Sequence, residues 1–326
     1  MKNIWKDLPR PYFILAPMEA VTDVAFRHVV RKAAKPDLFM SEFVNVSSIA
    51  SPKGEHSTRG RLEFTPDEQS SLIVQIWGSK PEDFAIAAKK CKDLGYKAID
   101  INMGCPDKQV VKSGGGSGLI RTPELAAKII AATKTAGLPV SVKTRLGFTN
   151  VNERDDWLTH ILKQDVVALT VHLRTRKEMS KYPAHHELIA DVVKLRDKVA
   201  PDTLININGD IKSKTEGKEI AEKYLKDDIK IDGVMIGRGI FANPFCFEET
   251  PTERNQEELM ELLNYHLDKF DEHQPRRFDP LKRFFKIYVR EFPGATELRA
   301  KLMEAKTTDE GREILGNFKV VPIKAG

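Results

Sequence analysis

The chain is poor in the residues that mark secreted or metal-bound proteins. Its 326 residues hold only three cysteines, Cys91, Cys105 and Cys246. They are odd in number and widely spaced, which excludes a disulfide framework and a cysteine-based zinc site and fits a reducing cytosol. No apolar run approaches the roughly 20 residues that span a bilayer. The apolar stretch 12–18, behind a charged start broken by Pro9, is too short for the core of a secretory signal. No Gly-x-Gly-x-x-Gly element opens a helix after a strand, so no dinucleotide-binding fingerprint is present. The charge excess is small: 52 Lys and Arg against 47 Asp and Glu give a formal +5 and a pI near 8.9. That permits an anionic partner without requiring one. These absences predict a cytoplasmic protein that does not enter a membrane. With 41% hydrophobic and 30% charged residues, the chain has the material for a large core and is not disordered.

What is present is a series of short apolar runs, each followed by polar or glycine-rich residues and then a helix-like stretch. Strands are expected at 13–18, 38–43, 72–76, 98–102, 140–144, 168–172, 204–208 and 233–236. Most are near-continuously apolar, as parallel strands buried on both faces are. Thr122 is placed to cap a helix whose first position is Pro123, with Gly137 at its stop. Ser79 before Pro81 and Glu82, with Gly95 at the end, repeats the plan. Strands alternating with helices predict a parallel α/β sheet, and eight of them close a (β/α)₈ TIM barrel. The unit over 47–70 carries the weakest pattern. After Phe247 the pattern becomes helical: 257–273, a second helix opening at Asp279-Pro280, then 295–305 and 308–317, with a final strand signal at 319–323. A barrel over 1–249 and a helical domain over 250–326 are therefore expected, joined by a linker at 248–253.

Reactive side chains recur at the C-terminal ends of these strands. They are Pro17 and Met18, Glu42, Gln75, Asn102 with Cys105 beyond it, Lys143 and Arg145, His172 and Arg174, Asn208-Gly209-Asp210, and Gly237-Arg238. In a barrel these ends converge on one mouth, where the chemistry is done. Each alone has a plain explanation: Gln75 as a loop contact, His172 as a satisfied core histidine, Lys143 as half of a buried ion pair. Their recurrence on nearly every strand is what marks a site. The glycines after strands seven and eight are either turns or a phosphate loop that Arg238 completes. Lys143, His172, Gln75 and Asn102 suit an isoalloxazine ring, the lysine meeting negative charge near N1 and the C2 carbonyl and the amides meeting the pyrimidine edge. Cys105 is open to three roles, nucleophile, acid or metal ligand, with no His/Cys spacing to support the last. The glycine-rich stretch 113–118 reads as a hinge for a lid. Cys91 and Cys246 read as packing residues.

Five segments resemble the tRNA-dihydrouridine synthases. They are Ala16-Pro17-Met18-Glu19-Ala20-Val21-Thr22-Asp23, Asp100-Ile101-Asn102-Met103-Gly104-Cys105-Pro106, Val142-Lys143-Thr144-Arg145, Asn208-Gly209-Asp210-Ile211, and Asp232-Gly233-Val234-Met235-Ile236-Gly237-Arg238-Gly239 followed by Asn243-Pro244. They stand in the family's order and spacing from about residue 13 to 247. The helical tail matches in kind rather than in motif. Ala20 stands where glycine is common, Leu173 where His-Gly-Arg-Thr-Arg is usual, and 179–186 departs from the family's tyrosine-containing segment.

The resemblance implies an FMN-dependent enzyme that reduces uridine in tRNA to 5,6-dihydrouridine with NADPH. It implies that Ala16, Pro17 and Met18 line the flavin and that Gln75, Lys143 and His172 contact its ring. Asn208, Gly209 and Asp210 would hold the ribityl chain and phosphate, with Gly237 and Arg238 closing the phosphate site. Cys105 would be the proton donor. The chemistry agrees: the C5=C6 bond is conjugated to the C4 carbonyl, so hydride adds at C6 and an acid protonates C5. Lys143 and Arg145 are candidates to steady the developing charge, and Arg174 joins Arg145 at the substrate. In the tail, Arg276, Arg277, Lys282, Arg283, Lys286 and Arg290 form the candidate tRNA surface. Arg283, Lys286 and Arg290 would share one helix face, with Leu281, Phe284, Phe285, Tyr288 and Phe292 on the buried side. No obligate protein partner is implied. Two rivals remain in view: an FMN barrel reducing a free pyrimidine or a dihydroorotate-type molecule, for which a basic tail is superfluous, and a tRNA-binding barrel without turnover, for which Cys105 and Lys143 are superfluous.

Overall fold

The computed structural model describes residues 4–5, 7–54, 58–250, 252, 254–274 and 276–318. Eight strands, β1 (Tyr12–Leu15), β2 (Leu38–Asn45), β3 (Leu72–Trp77), β4 (Ile99–Asn102), β5 (Val140–Gly147), β6 (Ala168–Thr175), β7 (Leu204–Asn208) and β8 (Gly233–Ile236), close into one parallel barrel. Closure is made by β1 against β8, in register from Tyr12 opposite Gly233 to Leu15 opposite Ile236. Alternation explains the unbroken apolar runs. Tyr12 and Ile14 point into the barrel with Leu38, Met40, Ile73 and Met235, while Phe13 and Leu15 point outward into the layer beneath the helices. Both faces are buried, so both must be apolar. Gly233 is required at the closure, because a Cβ there would stand 2.3 Å from both the Tyr12 ring and Asn206 Oδ1.

The helices of the barrel are α1 (Val24–Ala33), α2 (Val46–Ala50), α3 (Pro81–Asp93), α4 (Lys108–Lys112), α5 (Pro123–Lys134), α6 (Arg154–Leu162), α7 (Ile189–Val199), α8 (Lys214–Leu225) and α9 (Gly239–Ala242). Proline fills the first position of α3 and α5 as expected, but the caps differ. Lys80, not Ser79, precedes α3, and Thr122 makes no side-chain cap bond at α5. Proline at N1 already supplies the turn geometry and removes one orphan N–H. Gly95 and Gly137 follow their helices with φ of +103° and +73°, the left-handed stop that glycine allows. The weakly patterned 47–70 unit holds α2 and short 3₁₀ turns.

The tail contributes α10 (Gln256–His273), α11 (Phe285–Tyr288), α12 (Ala295–Glu304) and α13 (Thr308–Gly316). One tail expectation is corrected. The helix opening at Asp279-Pro280 is a 3₁₀ segment, Asp279–Phe284, followed by the single turn of α11. Leu281, Phe284, Phe285, Ile287 and Tyr288 are all buried, a wider arc than the one-sided stripe of a surface helix. The chain leaves the helix at Val289 (φ −99°, ψ 84°), so Arg290 lies off it and the three-residue basic face is not formed. Phe26 of α1 meets Phe284 at 4.6 Å and His266 of α10 at 5.6 Å between ring centroids. The tail thus shares the apolar layer outside the barrel. The strand signal at 319–323 lies outside the described residues.

Candidate active site

Two neighbouring cavities open at the C-terminal mouth of the barrel. The first, about 500 Å³, is lined by Ala16, Pro17 and Met18 after β1, Lys143 on β5, His172 on β6, Asn208, Gly209 and Asp210 at β7, and Gly237 and Arg238 after β8. The second, about 540 Å³, is lined by Glu19, Phe43, Asn45, Arg61, Trp77, Asp107 and Cys105 among others. Consecutive residues, Met18 and Glu19, face one cavity each. Both volumes lie in the range of small-molecule sites, about 300–1,000 Å³.

In the first cavity the polar groups are fixed by one another. Lys143 Nζ donates to Asn208 Oδ1 at 3.1 Å, and Asn208 Nδ2 donates to the Met235 carbonyl at 2.9 Å. Burial, with Arg145 nearby, pushes the Lys143 amine down to about 8. Arg174, itself buried, donates to His172 Nε2 at 3.2 Å. An arginine can only donate, so Nε2 carries the lone pair and Nδ1 carries the proton. Burial and the surrounding cations hold the His172 ring well below the usual histidine range, so it is neutral. Arg174 also donates to the Tyr182 carbonyl at 2.6 Å and pairs with Asp210. The Asp210 side chain is therefore occupied by Arg174, Arg238 (3.3 Å) and the Ala184 amide (3.0 Å). Gly209 has φ +125°, and a Cβ there would stand 3.0 Å from His172 Cδ2. Its neighbour Asp210 is left-handed as well, at φ +53°.

Gln75 and Asn102 line neither cavity in this way. They belong to a chain of bonds running through the barrel interior. Ser141 Oγ donates to Asp100 Oδ1 at 2.6 Å and Gln75 Nε2 to Asp100 Oδ2 at 2.7 Å. Asn102 Nδ2 donates to Gln75 Oε1 at 2.9 Å. Asn102 Oδ1 then accepts the amides of Gly104 (3.1 Å) and Cys105 (2.9 Å). The chain fixes the cysteine loop from below. Arg145 fixes it from the side, donating to the Gly104 carbonyl at 2.7 Å and the Thr175 carbonyl at 3.1 Å. Ser117 fixes it from behind, its amide and hydroxyl both meeting the Cys105 carbonyl, at 3.0 and 2.9 Å. Of the stretch 113–118 expected to hinge as a lid, Ser113 is exposed and Gly114 half-buried, but Gly115–Gly118 form a buried buttress, and a Cβ on Gly116 would stand 2.8 Å from the Cys105 carbonyl oxygen. The thiol itself is half-buried, and burial raises it above the ordinary thiol value. At neutral pH it carries its proton.

The basic residues of the tail divide. Arg277, Arg283 and Lys286 are exposed, whereas Lys282 and Arg290 are half-buried and Lys282 pairs with Asp279 at 3.0 Å. Arg276 reaches the barrel mouth, meeting Glu42 at 2.6 Å and Asp23 at 3.1 Å. Sequence reasoning missed Asp100, Lys212, Asn45, Trp77 and the Glu19–Arg61 pair. Lys212 lines the first cavity and was foreshadowed by its place two residues after Asp210. Arg61 comes from the weakly patterned 47–70 unit, which gave no signal; Asn45 ends β2, two residues beyond the strand end expected at 43.

Comparison with known proteins gives the family. Residues 14–321 match the family described as dihydrouridine synthase. The chain is 55% identical over 321 residues to a probable tRNA-dihydrouridine synthase 2 of Bacillus subtilis (strain 168), covering 98% of this chain and 97% of that one. It is 54% identical over 321 residues to a probable tRNA-dihydrouridine synthase of Staphylococcus aureus (strain COL), covering 98% and 96%. Among solved structures, 6-hydroxypseudooxynicotine amine oxidase from Pseudomonas geniculata N1 shares the fold, with a TM-score of 0.53 at 10% identity over 72% of this chain and 46% of that one. Matched along nearly its whole length, and with the motif residues gathered at one barrel mouth, the chain belongs to the dihydrouridine synthase family.

Proposed function

We propose that this chain is a tRNA-dihydrouridine synthase that holds FMN in the first cavity and reduces the C5=C6 bond of uridine in tRNA, with NADPH as reductant. The observation that carries the reading is the convergence of Ala16–Met18, Lys143, His172, Asn208–Asp210 and Gly237–Arg238 on that one cavity. The donor set fits the group. Lys143 and the neutral His172 are donors for an electron-rich ring edge. At the other end, Arg238 and glycine backbone that comes close to a ligand suit a phosphate. Asp210 serves by its backbone and by holding Arg174, since its carboxylate would repel a phosphate.

When bound, the flavin would supply two-electron hydride chemistry for reduction of the C5=C6 bond, with NADPH as the source of the electrons. The chain's own residues do the rest. With its amine near 8, Lys143 is mostly charged at pH 7, and a developing anion holds it in that form. His172 donates through Nδ1 without titrating. Cys105, protonated and fixed by Asn102, Arg145 and Ser117, delivers the proton to C5. The base must leave its stack to reach the mouth, at a cost of a few kcal/mol. Phosphate contacts from the tail, residues 250–326, offset that cost; residues 1–249 carry the chemistry. The basic surface is Arg277, Arg283 and Lys286.

Half-reactions separate the roles. In Cys105→Ala, NADPH-dependent reduction of the bound flavin stays near the parent rate while dihydrouridine formation falls by roughly 10²–10⁴, the usual contribution of a general acid. Equal loss in both half-reactions would remove Cys105 from the acid role.

A further inference from the structure

The loop between β1 and α1 serves both cavities at once: Ala16, Pro17 and Met18 face the first and Glu19 faces the second. Its shape is not secured by local bonds alone. Ala20 sits in the left-handed region at φ +56°, where a side chain is strained. Its amide donates to Glu42 Oε1 at 2.5 Å, and its carbonyl accepts from Arg283 Nη1 at 3.3 Å. At the far end of the loop, Asp23 Oδ1 caps α1 by accepting the Phe26 amide at 2.9 Å. The two carboxylates Glu42 and Asp23 are both buried. Buried like charges repel unless a cation stands between them. Arg276, from the tail, is that cation: Nη2 meets Glu42 Oε2 at 2.6 Å and Nε meets Asp23 Oδ2 at 3.1 Å.

We propose that Arg276 is a positioning residue through which the tail sets the β1–α1 loop, so that both mouth cavities take their shape from it although it touches neither ligand. The proposal rests on the reading that the first cavity binds flavin, but its structural half is testable without flavin. The alternative for a basic tail residue is a direct phosphate contact with RNA. The two roles give opposite results when a carboxylate is neutralised. If Arg276 acts by holding Glu42 and Asp23 together, removing one negative charge lowers the repulsion that its loss exposes. If it binds RNA, the state of Glu42 is irrelevant.

The test uses the full chain as Arg276→Met and as Arg276→Met combined with Glu42→Gln; glutamine keeps an oxygen for the Ala20 amide. In flavin-free protein, amide hydrogen exchange over residues 16–23 is expected to quicken in R276M and to return toward the parent rate in the double variant. Flavin dissociation constants should follow, rising at least about tenfold in R276M, as for a buried pair broken on one side, and recovering in the double variant. Unchanged exchange over 16–23 in folded R276M overturns the proposal. So does a raised KM for tRNA with unchanged flavin affinity that Glu42→Gln leaves unrescued. Should the parent protein show no flavin affinity, the flavin reading fails, and the exchange result still decides the clamp. Should R276M fail to fold, Arg276→Lys, which keeps the charge, is measured the same way, with partial quickening over 16–23 expected and none counting against the clamp.

Discussion

Asp100 lies inside the barrel with both carboxyl oxygens accepting, one from Ser141 and one from Gln75. Burial pushes this carboxyl up to about 6, against an unfolded value near 3.9. The folded state therefore binds its proton more tightly than the unfolded chain does. The stability this contributes is complete below about pH 4 and is lost as pH rises through 6, a swing on the order of 3 kcal/mol at 1.36 kcal/mol per unit. Asp100→Asn keeps an acceptor for Gln75 and can donate to Ser141, whose hydroxyl rotates. Urea midpoints at pH 4 and pH 7 should show the variant gaining on the parent at the higher pH; parallel behaviour would mean that Asp100 does not titrate in this window. The residue also shows the reach of sequence reading. Lys143, His172 and Asn208 were legible because each ends an apolar run at a mouth-facing position. Gln75 and Asn102 end such runs too, yet their amides are used by Asp100 and by the cysteine loop, and nothing in linear order says whether a strand-end amide faces a ligand or a neighbour.

Elements were legible where punctuation and periodicity agree. The strands 204–208 and 233–236 were expected at their observed bounds, since turn residues stop them on both sides. The tail helix α10 begins one residue earlier than expected because Asn255 caps it. Asn255 Oδ1 accepts the Glu258 amide at 2.9 Å, and Glu258 returns to the Asn255 amide at 3.0 Å. Removing such a cap costs about 1 kcal/mol. Asn255→Ala should therefore lower the unfolding free energy by about that much and leave flavin affinity unchanged. A change in affinity with no loss of stability would assign Asn255 to the site instead. The segment after Pro280 was misread because its basic residues do recur at helical spacing, while its apolar residues cover too much of the circumference to leave a solvent face. Burial all round, and not charge spacing, decided its conformation.

At the scale of the molecule, the barrel gathers residues from strands far apart in sequence, and the tail covers α1 and sends Arg276 back to the mouth. That last contact joins positions 234 residues apart, which is why a basic tail residue read as an RNA contact turns out to pair with carboxylates. Of the proposed basic surface, Arg283 also donates to the Ala20 carbonyl, so the exposed Arg277 and Lys286 are the ones that test the phosphate role separately from the loop. Charge reversal of both should raise KM for tRNA and flatten its salt dependence, since each lost phosphate contact removes about 0.7–0.9 from the slope of log K against log salt; NADPH-driven flavin reduction should not change. A KM and salt slope equal to the parent's would exclude this surface. No helix among the described residues of the protein is long and apolar enough to cross a membrane. The central claim is tested most directly by incubating that protein, loaded with FMN, with NADPH and an unmodified tRNA transcript, then digesting the RNA and weighing its nucleosides by mass spectrometry. Dihydrouridine formed by the parent, at a rate that Cys105→Ala lowers by at least about a hundredfold, is the predicted result. Flavin that is reduced by NADPH while uridine stays intact, in transcript and in native tRNA lacking dihydrouridine alike, would contradict it.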